Sequence, residues 1–180
     1  GAAMTGTDMY SISTVLQHGQ PDFYLEPLSP WRQSDAWEGL RARSDRRAAD
    51  GPRPNVFLAN LGPIPAHKAR SAWTGNLFAA AGIGAVANDG FESVDDLVAA
   101  YLESGAGMAA ICGSDADYAV SLVPAIEGLK GAGCAIIIVA GRPGDREDVL
   151  REVGAHGFVF VGADVFAVVR QTLDMLGVPR

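Results

Sequence analysis

Few side chains in this sequence are of a type and in a place to do chemistry. His67 comes first. It follows Val56-Phe57-Leu58-Ala59, a short apolar run without helical gaps, bounded by Pro54 before it and Gly62-Pro63 after it. Such a run reads as a strand buried on both faces, and His67 is the one histidine near the end of a strand of that kind. An imidazole in a loop over the edge of a sheet could ligate a metal from below. It would need a second group, commonly a carboxylate, to orient its other nitrogen. Two positions earlier a carboxylate would serve, and that position is Pro65. The plainer reading is a polar residue in the first turn of a helix.

Ser114 and Asp115 follow a later apolar run, Met108 to Cys112. With His67 they have the types of a nucleophile, an acid and a base, but no nucleophile elbow surrounds the serine. Other chemistries lack their residues. A phospho-acceptor site needs several oxygen ligands for a divalent cation, and here the first strand ends in Asn60-Leu61-Gly62, with Asp115 and Asp117 alone near the third. A phosphate cradle uses backbone N–H groups at a helix start, and Gly62-Pro63-Ile64-Pro65 gives up two of them. Neither the dinucleotide glycine pattern nor the P-loop pattern is present. Cys112 and Cys134 lack metal-ligand spacing. Each sits at or beside an apolar strand, as a small buried hydrophobe does, and a reducing, cytoplasmic setting suits them.

The elements that must position these residues alternate regularly from Pro54 onward. After the first strand, Ala69, Ala72, Trp73, Leu77 and Ala80 recur at helical spacing from Ala66, with Gly82 as a stop. Ile83 to Val86 is a second strand. Ser93 caps a helix lined by Val94, Leu97, Val98, Tyr101 and Leu102, which Gly105 and Gly107 break. Met108 to Cys112 is the third strand, and Ala119, Leu122, Val123, Ile126 and Leu129 mark the next helix. Ala135 to Ala140 is the clearest strand, β-branched as a central parallel strand should be. Gly141-Arg142-Pro143-Gly144 is its exit loop. Arg146 to Val153 is a short helix, Gly157 to Val161 a fifth strand, and Val165, Phe166, Val169, Leu173 and Leu176 a last amphipathic helix.

Five strands each followed by a helix predict an α/β fold: a five-stranded parallel, flavodoxin-like (Rossmann-like) doubly wound sheet with right-handed crossovers. The expected order is 2-1-3-4-5. Its switch point then lies between Asn60–Ala66 and Cys112–Asp115, where ligands of such sheets bind.

Residues 1–53 read differently, as an extended N-terminal arm or linker ahead of a domain at 54–180. Tyr10, Phe23, Tyr24, Leu25, Leu28, Trp31, Trp37 and Leu40 are scattered among Pro, Ser, Gln and Gly. Ser34 is placed to cap a short helix of about 35–49, with Asp35 and Glu38 in its first turn and Asp50-Gly51-Pro52 after it. The aromatics of the arm would pack across the domain or dock on a partner; alternatively the arm is a linker in part replaced by vector sequence. Gly1 to Ala3 ahead of Met4 look like a cloning remnant.

Composition narrows the function classes. At 48% apolar and 19% charged the chain is globular in type. A formal net charge of −7 argues against a nucleic-acid binder, whose affinity rests on Lys and Arg. No stretch approaches the roughly 18 apolar residues of a membrane span, and the start has no signal-peptide pattern. No membrane partner is expected.

Two stretches resemble a known family. Pro54-Asn-Val-Phe-Leu-Ala-Asn-Leu-Gly-Pro-Ile-Pro-Ala-His-Lys-Ala-Arg70 and Trp73-Thr-Gly-Asn-Leu-Phe-Ala-Ala-Ala-Gly-Ile83 are similar to the carboxyl-terminal cobalamin-binding-like domain of methylmalonyl-CoA mutases, most closely that of the small (beta) subunit. Trp37-Glu-Gly-Leu-Arg-Ala-Arg-Ser-Asp45 resembles its lead-in helix, so the likeness spans about 35–180. Cobalamin-binding members carry Asp-x-His-x-x-Gly, whose His is the lower cobalt ligand. Here the match is Pro65-Ala66-His67-Lys68-Ala69-Arg70. The Ser-x-Leu motif that receives the nucleotide tail appears as Gly113-Ser114-Asp115, and the Gly-Gly pair as Ala140-Gly141.

The resemblance implies a noncatalytic small-subunit domain in a heterodimer with a large catalytic subunit. The holoenzyme, an isomerase, interconverts methylmalonyl-CoA and succinyl-CoA with adenosylcobalamin. All three motifs are degraded, and Arg70 with Pro63 and Pro65 should obstruct the tail slot. No cofactor, catalytic residue or metal is therefore expected on this chain, which should be inactive alone. The alternative is a working cobalamin module, with His67 as cobalt ligand and Ser114 and Gly141 around the tail.

Overall fold

The computed structural model describes Arg32 and residues 34–179. The chain divides into Gly1–Arg32 and Gln33–Arg180, and the fold is that of the second unit. Of the scattered aromatic and apolar residues expected in the arm, Tyr10, Phe23, Tyr24, Leu25, Leu28 and Trp31 lie outside the described residues.

Five strands form one sheet: β1 Asn55–Asn60, β2 Gly84–Val86, β3 Met108–Cys112, β4 Ile136–Ala140 and β5 Gly157–Val159. Their order is β2-β1-β3-β4-β5, and every neighbouring pair is parallel. This is the expected flavodoxin-like topology. The helices are α1 Asp35–Asp50, α2 Ile64–Ala80, α3 Val94–Ser104, α4 Asp115–Gly131, α5 Glu147–Val153 and α6 Val165–Met175.

The gapless apolar strands feed two cores, because successive side chains point to opposite faces. Val56, Leu58, Met108, Ala110, Ile136 and Ile138 meet Phe78 of α2, Val169 and Leu173 of α6, and Leu40 of α1. Phe57, Ala59, Ala109, Ile111, Ile137 and Val139 meet Leu97 and Tyr101 of α3, Leu122 and Ile126 of α4, and Leu150 of α5.

Several boundaries differ from those predicted. Helix α2 begins at Ile64, not Ala66, with Pro65 in the first turn, where its missing N–H would have no helical acceptor anyway. Strand β2 starts one residue late, at Gly84, and β5 stops at Val159. Beyond it the backbone turns, with the Ala163 N–H donating to Phe160 O, and Val161 is 84% exposed. A 3-10 turn, Gly144–Arg146, precedes α5. Ser93 caps α3 as expected, its oxygen accepting from the Asp96 N–H at 3.1 Å. Ser34 does not cap α1: its backbone is already helical and its side chain makes no capping bond.

Helix α1 is fastened by side chains to the carboxyl ends of two other helices. Arg41 Nη2 donates to Ala79 O and Ser44 Oγ to Ala81 O, at 3.0 and 2.7 Å, at the carboxyl end of α2, where the last carbonyls lack their i+4 helical partners. Arg43 donates to Val178 O, Pro179 O and Asp174 Oδ1 beyond and within α6. Trp37 meets Phe166 edge to face at 5.4 Å.

Burial pushes up the phenols of Tyr101 and Tyr118 and the thiols of Cys112 and Cys134, the Cys112 thiol to about 12. A group with a raised folded value keeps its proton longer in the native state. Its contribution is complete below the unfolded value, near 9 for a thiol, and is lost as pH rises through the folded one. Urea midpoints are expected to hold from about pH 6 to 8 and to fall steadily above about 9. A midpoint unchanged at pH 10.5 would contradict that reading.

Candidate functional site

The carboxyl ends of β1, β3 and β4 meet at the predicted switch point, and there the sequence-predicted residues can be placed one by one. His67 sits in the first turn of α2 and is 3% exposed. Its Nε2 lies 3.1 Å from the carbonyl oxygen of Asp89. A carbonyl only accepts, so Nε2 carries a hydrogen and offers no lone pair to a metal in this arrangement. Nδ1 is buried and, among the described residues, has no hydrogen-bond partner.

The loop that receives His67 is held from several sides. Asn88 Nδ2 donates to Leu58 O at 2.7 Å, and Asn60 Nδ2 lies 3.1 Å from Asn88 Oδ1. The Phe91 N–H donates to Asn60 O and the Gly62 N–H to Phe91 O. Gly90 has φ +100°, and a Cβ there would lie 2.2 Å from Gly62 O and 2.7 Å from His67 Nε2. Only glycine lets the loop close over the imidazole.

Ser114 is the N-cap of α4 in a reciprocal capping box. Its Oγ accepts from the Asp117 N–H, while Asp117 Oδ2 accepts from the Ser114 N–H at 3.0 Å and from Oγ. Asp115 pairs with Arg70. His67, Ser114 and Asp115 thus each engage a different partner, and the structure does not bring them together as nucleophile, base and acid.

Arg70 reaches across the crest of the sheet from α2. It donates to Gly113 O and to Asp115 Oδ1, and its guanidinium lies 5.0 Å above the ring of Tyr118. Burial would lower its pKa, but Asp115 and Tyr118 raise it on balance. Tyr118 is the residue that sequence reasoning missed. It is 8% exposed, with its hydroxyl 2.8 Å from both Ile111 O and Ala140 O, at the ends of β3 and β4. A Cβ on Gly141 would lie 3.0 Å from Tyr118 Cε2, and one on Gly113 3.1 Å from Cε1. The two glycines of the degraded motifs therefore accommodate this ring. The signal was available: the cap at Ser114 sets the phase of α4 and puts Tyr118 on one face with Leu122, Ala125 and Ile126.

Beside Arg70, a cleft of about 270 Å³ opens over the ends of β4 and β5, lined by Ala69, Trp73, Gly141, Arg142, Phe160 and Val161 among others. Among the described residues, no group of three or more His, Cys, Asp or Glu could hold a metal, and no helix is long and apolar enough to cross a membrane.

No family model matches the chain. It is 39% identical over 148 residues to a methylmalonyl-CoA mutase small subunit of Streptomyces virginiae, covering 82% of this chain and 23% of that one. With the small subunit of Porphyromonas gingivalis it shares 33% over 154 residues, 86% of this chain and 24% of the relative. The chain is a homologue of methylmalonyl-CoA mutase small subunits. It is 31% identical over 160 residues to the small subunit of Propionibacterium freudenreichii subsp. shermanii, and it spans about a quarter of the length of these small subunits. Among solved structures, a cobalamin-binding protein from Desulfitobacterium hafniense matches this small-subunit homologue with a TM-score of 0.55 at 18% identity, covering 81% of this chain and 71% of that one. A CheY-like protein, tadZ, of Pseudomonas aeruginosa matches with 0.51 at 21%, covering 67% and 93%. Both are likenesses of fold.

Proposed function

We propose that the chain is a noncatalytic structural domain of a methylmalonyl-CoA mutase small subunit, which supports the assembly of the mutase with a large catalytic subunit and binds no cobalamin itself. The holoenzyme would isomerise methylmalonyl-CoA and succinyl-CoA, with adenosylcobalamin held by the large subunit. The domain would act in the cytoplasm, where two buried free cysteines stay reduced.

The observation that carries this reading is the crest itself. Arg70 and Tyr118 occupy the ground between the ends of β3 and β4 and the start of α4. His67 spends Nε2 on the Asp89 carbonyl. The Ser114 hydroxyl is spent in the capping box. These residues do not fit a corrinoid with an inserted tail: the ligand nitrogen and the receiving serine are each committed to the protein's own structure, and Tyr118 fills the ground between the ends of β3 and β4.

An absorbance titration of the chain with hydroxocobalamin and adenosylcobalamin, beside His67→Ala, tests the reading. Free-cofactor spectra are expected from both proteins at cobalamin well above micromolar. A base-off, histidine-ligated spectrum that disappears in His67→Ala would overturn it and restore the working cobalamin module, with Ser114 and Gly141 around the tail.

A further inference from the structure

The cleft over β4 and β5 has a composition that the structural role alone leaves without a use. Trp73 is 37% exposed and Val161 84% exposed at its rim, and Phe160 lines it between Arg142 and Val159. The Arg142 guanidinium lies over the Phe160 ring at 5.0 Å, and among the described residues it makes no hydrogen bond or ion pair. Trp, Phe and Arg gathered around an apolar floor are the residues that dominate protein–protein interfaces.

Volume and openness bear on the kind of occupant. At about 270 Å³ and open on one side, the cleft lies at the lower edge of the roughly 300–1,000 Å³ of sites that enclose a small-molecule ligand. It suits one large apolar side chain entering from outside. Charge complements this. The chain carries a formal −7, yet its cleft presents two guanidiniums, Arg70 tied to Asp115 and Arg142 free to take a carboxylate in a bidentate pair.

We infer that this cleft is a docking surface for a polypeptide that inserts one aromatic or branched apolar side chain between Trp73 and Phe160 and sets an adjacent Asp or Glu on Arg142. The inference rests on the proposed assembly role, and the occupant is a segment of the large subunit. The guanidinium stacked on Phe160 is held in place before contact, so less side-chain freedom is lost on docking. Val161, past the end of β5, would be covered by the incoming chain.

The test is binding of the 180-residue chain to the large subunit, measured by calorimetry for wild type, Trp73→Ala, Val161→Asp and Arg142→Glu. Val120→Asp on α4, in the layer over the other face of the sheet and 78% exposed, is the control. The cleft variants are expected to bind at least about tenfold more weakly while Val120→Asp binds as wild type, and Arg142→Gln is expected to lose part of the salt dependence of binding. Thermal unfolding checks that the exposed-site variants remain folded. Wild-type affinity in all cleft variants would overturn the docking surface and leave the assembly role standing. Absence of wild-type binding would overturn both.

Discussion

Tyr118→Ala is expected to destabilise the α/β unit by about 3–5 kcal/mol, the range for an aromatic side chain removed from a packed interior. The ring is 8% exposed and belongs to the core cluster formed by Leu122, Ile126, Ile111 and Val139. Gly113 and Gly141 approach it so closely that a methyl group on either would crowd it. Its hydroxyl stands 2.8 Å from the carbonyls of Ile111 and Ala140, near the ends of two neighbouring strands, and the alanine leaves both without it. Tyr118→Phe keeps the ring and removes only the hydroxyl, for which about 1–2 kcal/mol is expected. Urea unfolding with unchanged m-values would separate the two terms. An alanine variant no less stable than the phenylalanine variant would show that the ring packs nothing of consequence. In the alanine variant Arg70 should also lose the ring beneath it, while keeping its bonds to Gly113 and Asp115.

Arg43→Ala is expected to cost about 3 kcal/mol. Removing one partner of a buried pair costs about 3–5 kcal/mol, and the lower end applies because the Asp174 side chain is 32% exposed and water can replace part of the pair. The guanidinium also serves two backbone carbonyls, Val178 O at 2.7 Å and Pro179 O at 3.1 Å. Arg43→Lys should recover only part of the loss, since one ammonium cannot reproduce the planar fork that meets three acceptors. Hydrogen exchange across 35–50 gives the local reading: in Arg43→Ala, α1 should exchange ahead of the sheet. Uniform acceleration of sheet and helix together would mean that α1 is not separately held by this residue.

These two residues mark the division between what was legible in the sequence and what was not. The five strands, their parallel order and the position of the switch point could be read from local pattern, because a strand buried on both faces must be a gapless apolar run and a covering helix must repeat at 3.6 residues. The cap at Ser93 was legible for the same reason, as a local competition between a side chain and the first backbone N–H groups. The failed cap at Ser34 shows the limit of that reasoning. The residue type was right, but its backbone had already entered the helical region.

His67 and Ser114 could be singled out by type and place, and Gly141 by the resemblance to the cobalamin-binding-like family. What two of them do depended on partners distant in the chain: Asp89 for the imidazole, and Tyr118 for the glycine. Ser114 turns to Asp117, three residues on. The attachment of α1 is of the distant kind, with Arg43 meeting acceptors more than 130 residues later. No periodicity encodes such contacts, because their free energy arises only when packing of the sheet brings the chain ends of α2, α4 and α6 to fixed distances. The sequence by itself therefore determined the scaffold and the edge where a ligand would sit. The tertiary structure alone decided how that edge is built, because the expected obstruction by Arg70 came from residue type, whereas its stacking on Tyr118 and the placing of that ring between the ends of β3 and β4 depend on packing.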